Sequence, residues 1–224
     1  MNKMSSKELN AQKTKQDFEE IYRLWENVSP IDGDCGSLCS AACCRADGLY
    51  PDEIKNPEYV QDVLDEDEKD DLGIYLLPGE ELVHDKSDDW LTWFKSNAED
   101  VDFPESWTGE VYFVKCKGPD SCKRQLRPIQ CRTYPVAPYI TEKGELKLIL
   151  NTDILPYKCP LVHQRFELNQ DFLQATYSAW KRLILDKRVY DLVEDDSRFR
   201  DECGFEPSAR NFLEVQEIEK RDNR

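Results

Sequence analysis

Eight cysteines in three groups constrain this chain more than any other feature of its sequence. The chain has 224 residues and nine cysteines, and eight of the nine lie between positions 35 and 159. Cysteine makes up about 4% of the chain, below the roughly 8–10% of a disulfide scaffold. The odd count and tight clustering favour reduced thiols, which predicts metal binding rather than structural disulfides.

The first group places four thiols within ten residues, as Cys35-x3-Cys39-x3-Cys43-Cys44. Most of the residues between them are Gly, Ser and Ala, which leave the backbone free to wrap around an ion. Neighbouring side chains tend to point apart in an extended chain, so the adjacent pair allows two arrangements. Cys43 and Cys44 serve two metals, or one serves a metal and the other the core, and the sequence leaves both open.

The second group is Cys116, Cys122 and Cys131, presented by a loop-rich stretch. An alternating run predicts a strand that ends at Cys116, and the segment Arg127-Pro128 stiffens the approach to Cys131. Between positions 115 and 132 there are six basic residues and one acid. Cationic neighbours lower the pKa of a thiol, so this stretch predicts thiolates, the form that binds metal. The basic residues are Lys115, Lys117, Lys123, Arg124, Arg127 and Arg132.

The third group is a lone thiol, Cys159, with His163 one helical turn later. His163 is the better of the two histidines as a candidate ligand, although a satisfied structural histidine is the favoured interpretation. Cys203 lies far downstream in a predicted loop and is not assigned to the metal. The predicted metal ligands are the other eight thiols: Cys35, Cys39, Cys43, Cys44, Cys116, Cys122, Cys131 and Cys159.

Acidic residues are concentrated in one part of the chain. Between positions 52 and 105 there are 19 acids and 4 bases, nearly the whole imbalance behind the net charge of −16. We expect a solvated acidic surface there, with Glu80, Glu81 and His84 exposed. The run 65–71 lacks the glycine and alternating oxygens of an EF-hand loop, so it predicts no calcium site. Such a surface repels phosphate backbones, and nucleic acid is not an expected partner.

Helical and strand periodicities are both present, which predicts an α+β fold. Apolar residues at helical spacing over 18–28 and 173–184 predict an N-terminal and a C-terminal helix, with Asn169 capping the second. Two alternating runs flank Glu142-Lys143-Gly144 and predict a hairpin. We expect a single loop-rich, metal-stapled domain over 1–224, with a small antiparallel sheet, packed terminal helices and a cysteine-cluster core at 35–163.

The compartment is predicted from what the sequence lacks. No apolar run reaches the ~18 residues that a membrane span needs, and the N-terminus lacks the apolar core of a signal peptide. The expected location is the cytoplasm, with no membrane partner. Reduced thiols agree with this expectation, because cytosolic disulfides are usually transient.

The order and spacing of the cysteines resemble those of the YkgJ-like family of zinc- or iron-chelating cysteine-cluster proteins. The resemblance covers about residues 35–163 and rests on eight cysteines, the segment Arg127-Pro128 and the run Cys131-Arg132-x-Tyr134-Pro135. It implies that the eight thiols chelate zinc or iron. Some family members are labelled iron–sulfur oxidoreductases, and the flagellin lysine methylases look similar around their cysteines.

Three functions agree with this pattern to different degrees. The first is a cysteine-rich metal-binding protein in which zinc or iron holds the loops together. The second is an iron–sulfur redox or electron-transfer protein, although the spacing matches neither the bacterial ferredoxin nor the radical-enzyme pattern. The third, a protein lysine methyltransferase, has little support because no glycine-rich loop joins a strand to a helix. The sequence assigns no catalytic residue and leaves open whether the protein is an enzyme.

Overall fold

The N-terminal helix covers one side of the main apolar core. The structure is a computed structural model that describes residues 13–44, 73–151, 159–164, 166–204 and 212–215. Helix α1 (Lys15–Arg23) begins with a capping box at Thr14. Its buried face consists of Phe18, Ile21 and Tyr22. The helix ends at Arg23, so the predicted helix over 18–28 is confirmed only in its first part, and Trp25 is buried beyond the helix end.

Five named strands form two antiparallel sheets in the described part of the chain. Strands β1 (Ile74–Tyr75), β2 (Leu91–Asn97) and β3 (Glu110–Cys116) pair in the order β1-β3-β2. Strands β4 (Val136–Ile140) and β5 (Leu146–Leu150) form the predicted hairpin. Helices together with small antiparallel sheets confirm the expected α+β class.

The remaining helices differ greatly in length. Helices α2 (Gly36–Cys39), α3 (Ile129–Thr133) and α4 (Pro160–His163) are single turns that carry or border cysteines. Helices α5 (Gln170–Leu183) and α6 (Lys187–Glu202) are longer and pack against the hairpin. Helix α5 is the predicted C-terminal helix, so that prediction is confirmed.

Two details of the C-terminal half differ from expectation. The side chain of Asn169 does not cap α5, because it donates to the Ser29 carbonyl and to Asp32, each at 3.2 Å. Helix α6 is not among the helices expected from the sequence. Two of its four buried residues, Ser197 and Arg200, are polar, so its inner face lacks a continuous apolar stripe.

Two apolar clusters border the site described below. The main cluster joins α1, the hairpin, α5 and α6, with Phe18 and Phe172 almost fully buried. The second cluster lies on the three-stranded sheet and consists of Leu76, Trp90, Leu91 and Val114. Residues of both clusters line one cavity, which therefore lies between them.

Some expectations concern residues beyond the described ranges. The acidic run 65–71 lies outside them, so its place at the surface stays a prediction. Near the C-terminus, Phe212 bridges to Ile149 on β5. Along the described parts of the chain, no helix is both long and apolar enough to cross a membrane.

Candidate metal centre

Eight of the nine cysteines line one cavity of about 1040 Å³ between the two apolar clusters. The ninth, Cys203, is exposed, follows helix α6 and does not line the cavity. The fold thus collects thiols that are widely separated in sequence, and it collects the same eight that the spacing selects. They are Cys35, Cys39, Cys43, Cys44, Cys116, Cys122, Cys131 and Cys159.

One side of the cavity, which we term the helical wall, consists of residues 34–44 and Cys159. Cys35 precedes helix α2 and Cys39 ends it. The Asp34 carboxylate accepts a hydrogen bond from the Gly36 amide at 3.1 Å, which starts this turn. The helical wall therefore begins at a side chain that lies at the surface.

A reversal of the chain follows helix α2. Ser40 and Ala41 both take left-handed backbone angles, with φ of 54° and 57°. The Ala41 amide donates to the Gly36 carbonyl at 2.8 Å and closes the turn. A 3₁₀ turn then places Cys43 and Cys44 on the cavity, with their Sγ atoms 3.9 Å apart.

A second part of the cavity lining, the strand-loop wall, comes from residues 116–132. Strand β3 delivers Cys116 at its end, as the alternating pattern predicts. A turn through Gly118, with φ of 98°, leads to Cys122. The Arg127 Nε atom donates to the Cys122 Sγ atom at 3.0 Å, so one thiol of this wall is paired with a guanidinium.

Helix α3 carries Cys131 and is anchored by a buried carboxylate. Glu80 is only 1% exposed and accepts from the amides of Ile129 and Leu77 at 2.7 and 2.9 Å. The Tyr22 hydroxyl donates to the same carboxylate at 2.6 Å. Glu80 therefore ties the start of α3 to helix α1, and the prediction that it lies at the surface is wrong.

His84 belongs to the same buried network, so its predicted exposure is also wrong. Its Nε2 atom lies 3.3 Å from the Tyr22 hydroxyl. The Tyr22 hydroxyl uses its hydrogen in the bond to Glu80, so its oxygen can only accept from His84. The Nε2 atom of His84 therefore carries the ring hydrogen. Within the described residues, the Nδ1 atom is buried and has no hydrogen-bond partner. Burial, followed by the charge of Arg132, lowers the pKa of His84 to about 4.

In two pairs of cysteines, a hydrogen bond between the thiols lowers the pKa of one member and raises the pKa of the other. A hydrogen bond with the Cys116 thiol lowers the pKa of Cys122 to about 6, and Arg127 adds to this effect. The same hydrogen bond raises the pKa of Cys116. A hydrogen bond from Cys43 lowers the pKa of Cys44 to about 7, again with a contribution from Arg127. Cys122 and Cys44 are thus the thiols closest to the metal-binding thiolate form.

Burial acts in the opposite direction on other cavity thiols. It raises the pKa of Cys131 to about 12, and it also raises the pKa values of Cys35 and Cys39. At Cys122 the basic neighbour Arg127 lowers the thiol pKa as predicted, although the hydrogen bond with Cys116 is the larger cause. The predicted lowering is wrong for Cys131, where burial outweighs the nearby Arg127.

The basic residues of this stretch divide between the cavity and the surface. Lys117 and Lys123 form ion pairs with Asp89 and Asp88, away from the cavity lining. The residues that do line the cavity are the three arginines, Arg124, Arg127 and Arg132. Guanidinium groups stay charged when partly buried, so the cavity keeps a positive side even though the chain is acidic.

The cavity gathers the thiols without closing a binding site. Among the described residues, no three cysteine, histidine or carboxylate side chains lie close enough together to hold one metal ion. The donor set nevertheless fits a metal in number and chemistry, because thiolates are the ligands that zinc and iron–sulfur sites prefer. The Cys122 thiol beside Arg127 is already in the environment that favours its charged form.

The other predicted candidates lie elsewhere. His163 is exposed and does not line the cavity, so it is not brought to the thiols. Glu81 is partly exposed and accepts from the Gly79 amide at 3.0 Å. The sequence missed the Glu80 network, because a glutamate in an acid-rich stretch carries no spacing signal for burial.

Comparison with known proteins adds no relative. No family model matches the chain, and neither a curated protein nor a solved structure is similar to it.

Proposed function

We propose that the protein binds zinc or iron through cysteine thiolates in this cavity. The observation that carries the proposal is that the eight cysteines of the spacing pattern all line one cavity, whereas Cys203 does not. Cysteines that only fill a core are buried and inert, whereas none of these eight is fully buried. Eight partly exposed thiols on the lining of one cavity, one of them bonded to an arginine, are typical of ligands rather than of packing.

The proposed role of the metal is structural. Helices α2, α3 and α4 have four or five residues each, too few to be stable without tertiary support. A bound metal would link these turns to one another through the eight cysteines. Structural zinc contributes roughly ten kcal/mol or more to folding in small domains, so this support would be substantial.

The residues that carry the family resemblance give further support. Besides the cysteines, the segment Arg127-Pro128 and the residues Arg132, Tyr134 and Pro135 all line the cavity. We therefore include membership of the YkgJ-like family in the proposal. Residues of one motif are expected to line the same cavity if they serve one binding site.

An iron–sulfur redox or electron-transfer protein is the second candidate. The specific observation in its favour is that Arg124, Arg127 and Arg132 line the cavity and that Arg127 donates to the Cys122 sulfur. Cationic groups and hydrogen bonds to sulfur offset the negative charge of such a cluster and tune its potential. A methyltransferase gains no such support, since the paired strands of the described residues are all antiparallel.

The test is elemental analysis, labile sulfide and visible absorption on protein purified without oxygen. We expect about one or two equivalents of metal, colourless for zinc and brown with labile sulfide for an iron–sulfur cluster. Cys131→Ser and Cys203→Ser form a matched pair. The first is expected to lose at least one equivalent and several kcal/mol of stability, the second at most about 1 kcal/mol. Folded, metal-free protein with freely reactive thiols would overturn the proposal.

A further inference from the structure

Strand β2 lies at the edge of the three-stranded sheet and pairs only with β3 among the described strands. At one end of this pairing, the Lys117 amide donates to the Trp90 carbonyl at 3.0 Å. At the other end, the Ala98 amide donates to the Gly109 carbonyl at 2.8 Å. Because hydrogen bonding alternates along an antiparallel pair, the even-numbered residues of β2 bond to β3 and the odd-numbered residues direct their backbone groups outward.

The outward backbone groups belong to Leu91, Trp93, Lys95 and Asn97. Within the described residues, no neighbouring segment forms a backbone hydrogen bond with any of the four. The strand has seven residues, contains no proline and keeps an unbroken register with β3. Such an edge is a template to which a further strand can be added.

The middle of this edge is apolar and electrically neutral. Phe94, the central residue of β2, is 45% exposed, and its ring lies 6.1 Å from that of Phe113 on β3. The Lys115 Nζ atom lies 5.2 Å from the centre of the Phe94 ring. Lys95, the charged residue of β2, forms an ion pair with Glu110. An added strand would therefore gain most from an apolar residue opposite Phe94.

The two ends of the edge differ in charge. Before β2, Asp88 pairs with Lys123 at 2.6 Å and Asp89 pairs with Lys117 at 3.5 Å. After β2, both acids of the turn Ala98–Asp100 are exposed, and the described residues supply no ion pair to either. Uncompensated negative charge is therefore concentrated at the C-terminal end of the edge, where it attracts a basic partner.

We propose that the outer edge of β2 binds an extended segment of a partner protein as an additional antiparallel strand. The antiparallel direction continues the pairing of this sheet and is the more stable one per residue. The partner segment has alternating apolar residues, one of them opposite Phe94, and basic residues on its N-terminal side. In the antiparallel direction those basic residues face Glu99 and Asp100. This binding surface does not use the metal, so it stands independently of the proposed function.

The test uses two labelled peptides of equal composition and fluorescence anisotropy with the full-length protein. The first peptide is Lys-Lys-Gly-Thr-Val-Thr-Ile-Thr-Val-Thr, and the second, Thr-Val-Thr-Ile-Thr-Val-Thr-Gly-Lys-Lys, carries its lysines at the C-terminal end. The first is expected to bind about fivefold more tightly at low salt, because its lysines reach Glu99 and Asp100. Glu99→Lys combined with Asp100→Lys should abolish this preference.

A matched pair of variants tests the backbone contact. Lys95→Pro removes an outward N–H group while leaving the bonds to β3, and it should lower the affinity for the first peptide about tenfold or more. Lys95→Ala keeps that N–H group and should change the affinity by less than about twofold. Equal affinities of the two variants would overturn the proposal.

Hydrogen exchange of the Trp93 and Lys95 amides gives the same answer on the unsubstituted protein, so the test does not depend on whether a variant folds. Fast exchange in the free protein and protection by the first peptide are expected. Protection in the free monomer would show that another part of this chain covers the edge. Protection that appears only as the protein dimerises would show that a second copy covers it. Either result, or equal binding of the two peptides, would overturn the proposal.

Discussion

The two walls of the cavity present the same donor atom but are anchored in opposite ways. The strand-loop wall is tied to the core through Glu80, a carboxylate with three hydrogen-bond donors and almost no exposure. The helical wall starts from Asp34, whose side chain is 61% exposed and pairs with Arg124 at 3.1 Å. Buried hydrogen bonds are costly to lose, whereas exposed pairs exchange readily with water.

If the thiols bind a metal as proposed, the difference predicts an order of binding. On the strand-loop wall, Glu80 holds the start of the helix that carries Cys131, and the Arg127 guanidinium donates to the Cys122 sulfur, which favours its thiolate. The helical wall depends on a left-handed turn at Ser40 and Ala41 and on surface contacts. We therefore expect the strand-loop wall to bind metal first and the helical wall to be ordered by it. The predictions below run from the largest expected effect to the smallest.

The largest expected effect is a pH dependence of stability that comes from His84, in the buried network around Glu80. The unfolded pKa of His84 is near 6.5 and its folded pKa is about 4, so the unfolded state binds the proton first as pH falls. Stability is therefore lost between pH 6.5 and 4, by about 3 kcal/mol from this group. His84→Gln should flatten that part of a denaturation profile. The exposed His163→Gln should leave it unchanged, and an equal effect of both substitutions would contradict the assignment.

Replacing the anchor itself should weaken the strand-loop wall. Glu80→Gln turns one accepting oxygen into an NH₂ group that faces a donor, which is expected to cost about 2 kcal/mol of unfolding free energy. Glu81→Gln changes a neighbour with one partly exposed contact and serves as the control, at under about 0.5 kcal/mol. Chemical denaturation of both variants decides this. A negligible effect of Glu80→Gln would contradict the role of the Glu80 carboxylate as the anchor of helix α3.

The guanidinium beside Cys122 should set the metal affinity of the strand-loop wall. Arg127→Lys keeps the charge but loses the planar donor at 3.0 Å, and second-shell losses of this kind lower affinity about tenfold or more. Lys123→Gln removes a nearby charge that pairs with Asp88 outside the cavity, so it should leave affinity unchanged. A chelator competition assay measures both. An Arg127→Lys variant that keeps full affinity, or that loses no more than Lys123→Gln, would contradict a specific role for the Arg127 guanidinium.

Substitution of Asp34, the exposed residue that starts the helical wall, should have the smallest effect on stability. Asp34→Asn retains an oxygen that can accept from the Gly36 amide and weakens only the surface pair with Arg124. The expected loss of stability is below about 1 kcal/mol. A loss as large as that of Glu80→Gln would remove the distinction between the two walls.

The sequence predicted those features that depend on local spacing. The apolar face of α1, the hairpin around Gly144 and the end of β3 at Cys116 all follow from periodicity and turn residues. The selection of eight cysteines over Cys203 also followed from spacing, and the cavity contains those eight.

Features that depend on tertiary partners were not predictable. Glu80 and His84 are buried because Tyr22, far away in sequence, meets them in the fold. Helix α6 was missed because its buried positions include Ser197 and Arg200, whose polarity hides the helical period. The pairing of Arg127 with Cys122 was foreseen only as a charge effect, since a loop has no fixed period from which a contact can be inferred.

Thiol counting tests the central claim, that the eight cavity cysteines bind metal, most directly. In native protein purified without oxygen, a thiol reagent is expected to react with one of the nine cysteines, the exposed Cys203. Addition of a chelator should release metal and make the remaining eight reactive in step with that release. Nine reactive thiols in folded protein, with no metal released by the chelator, would contradict the account.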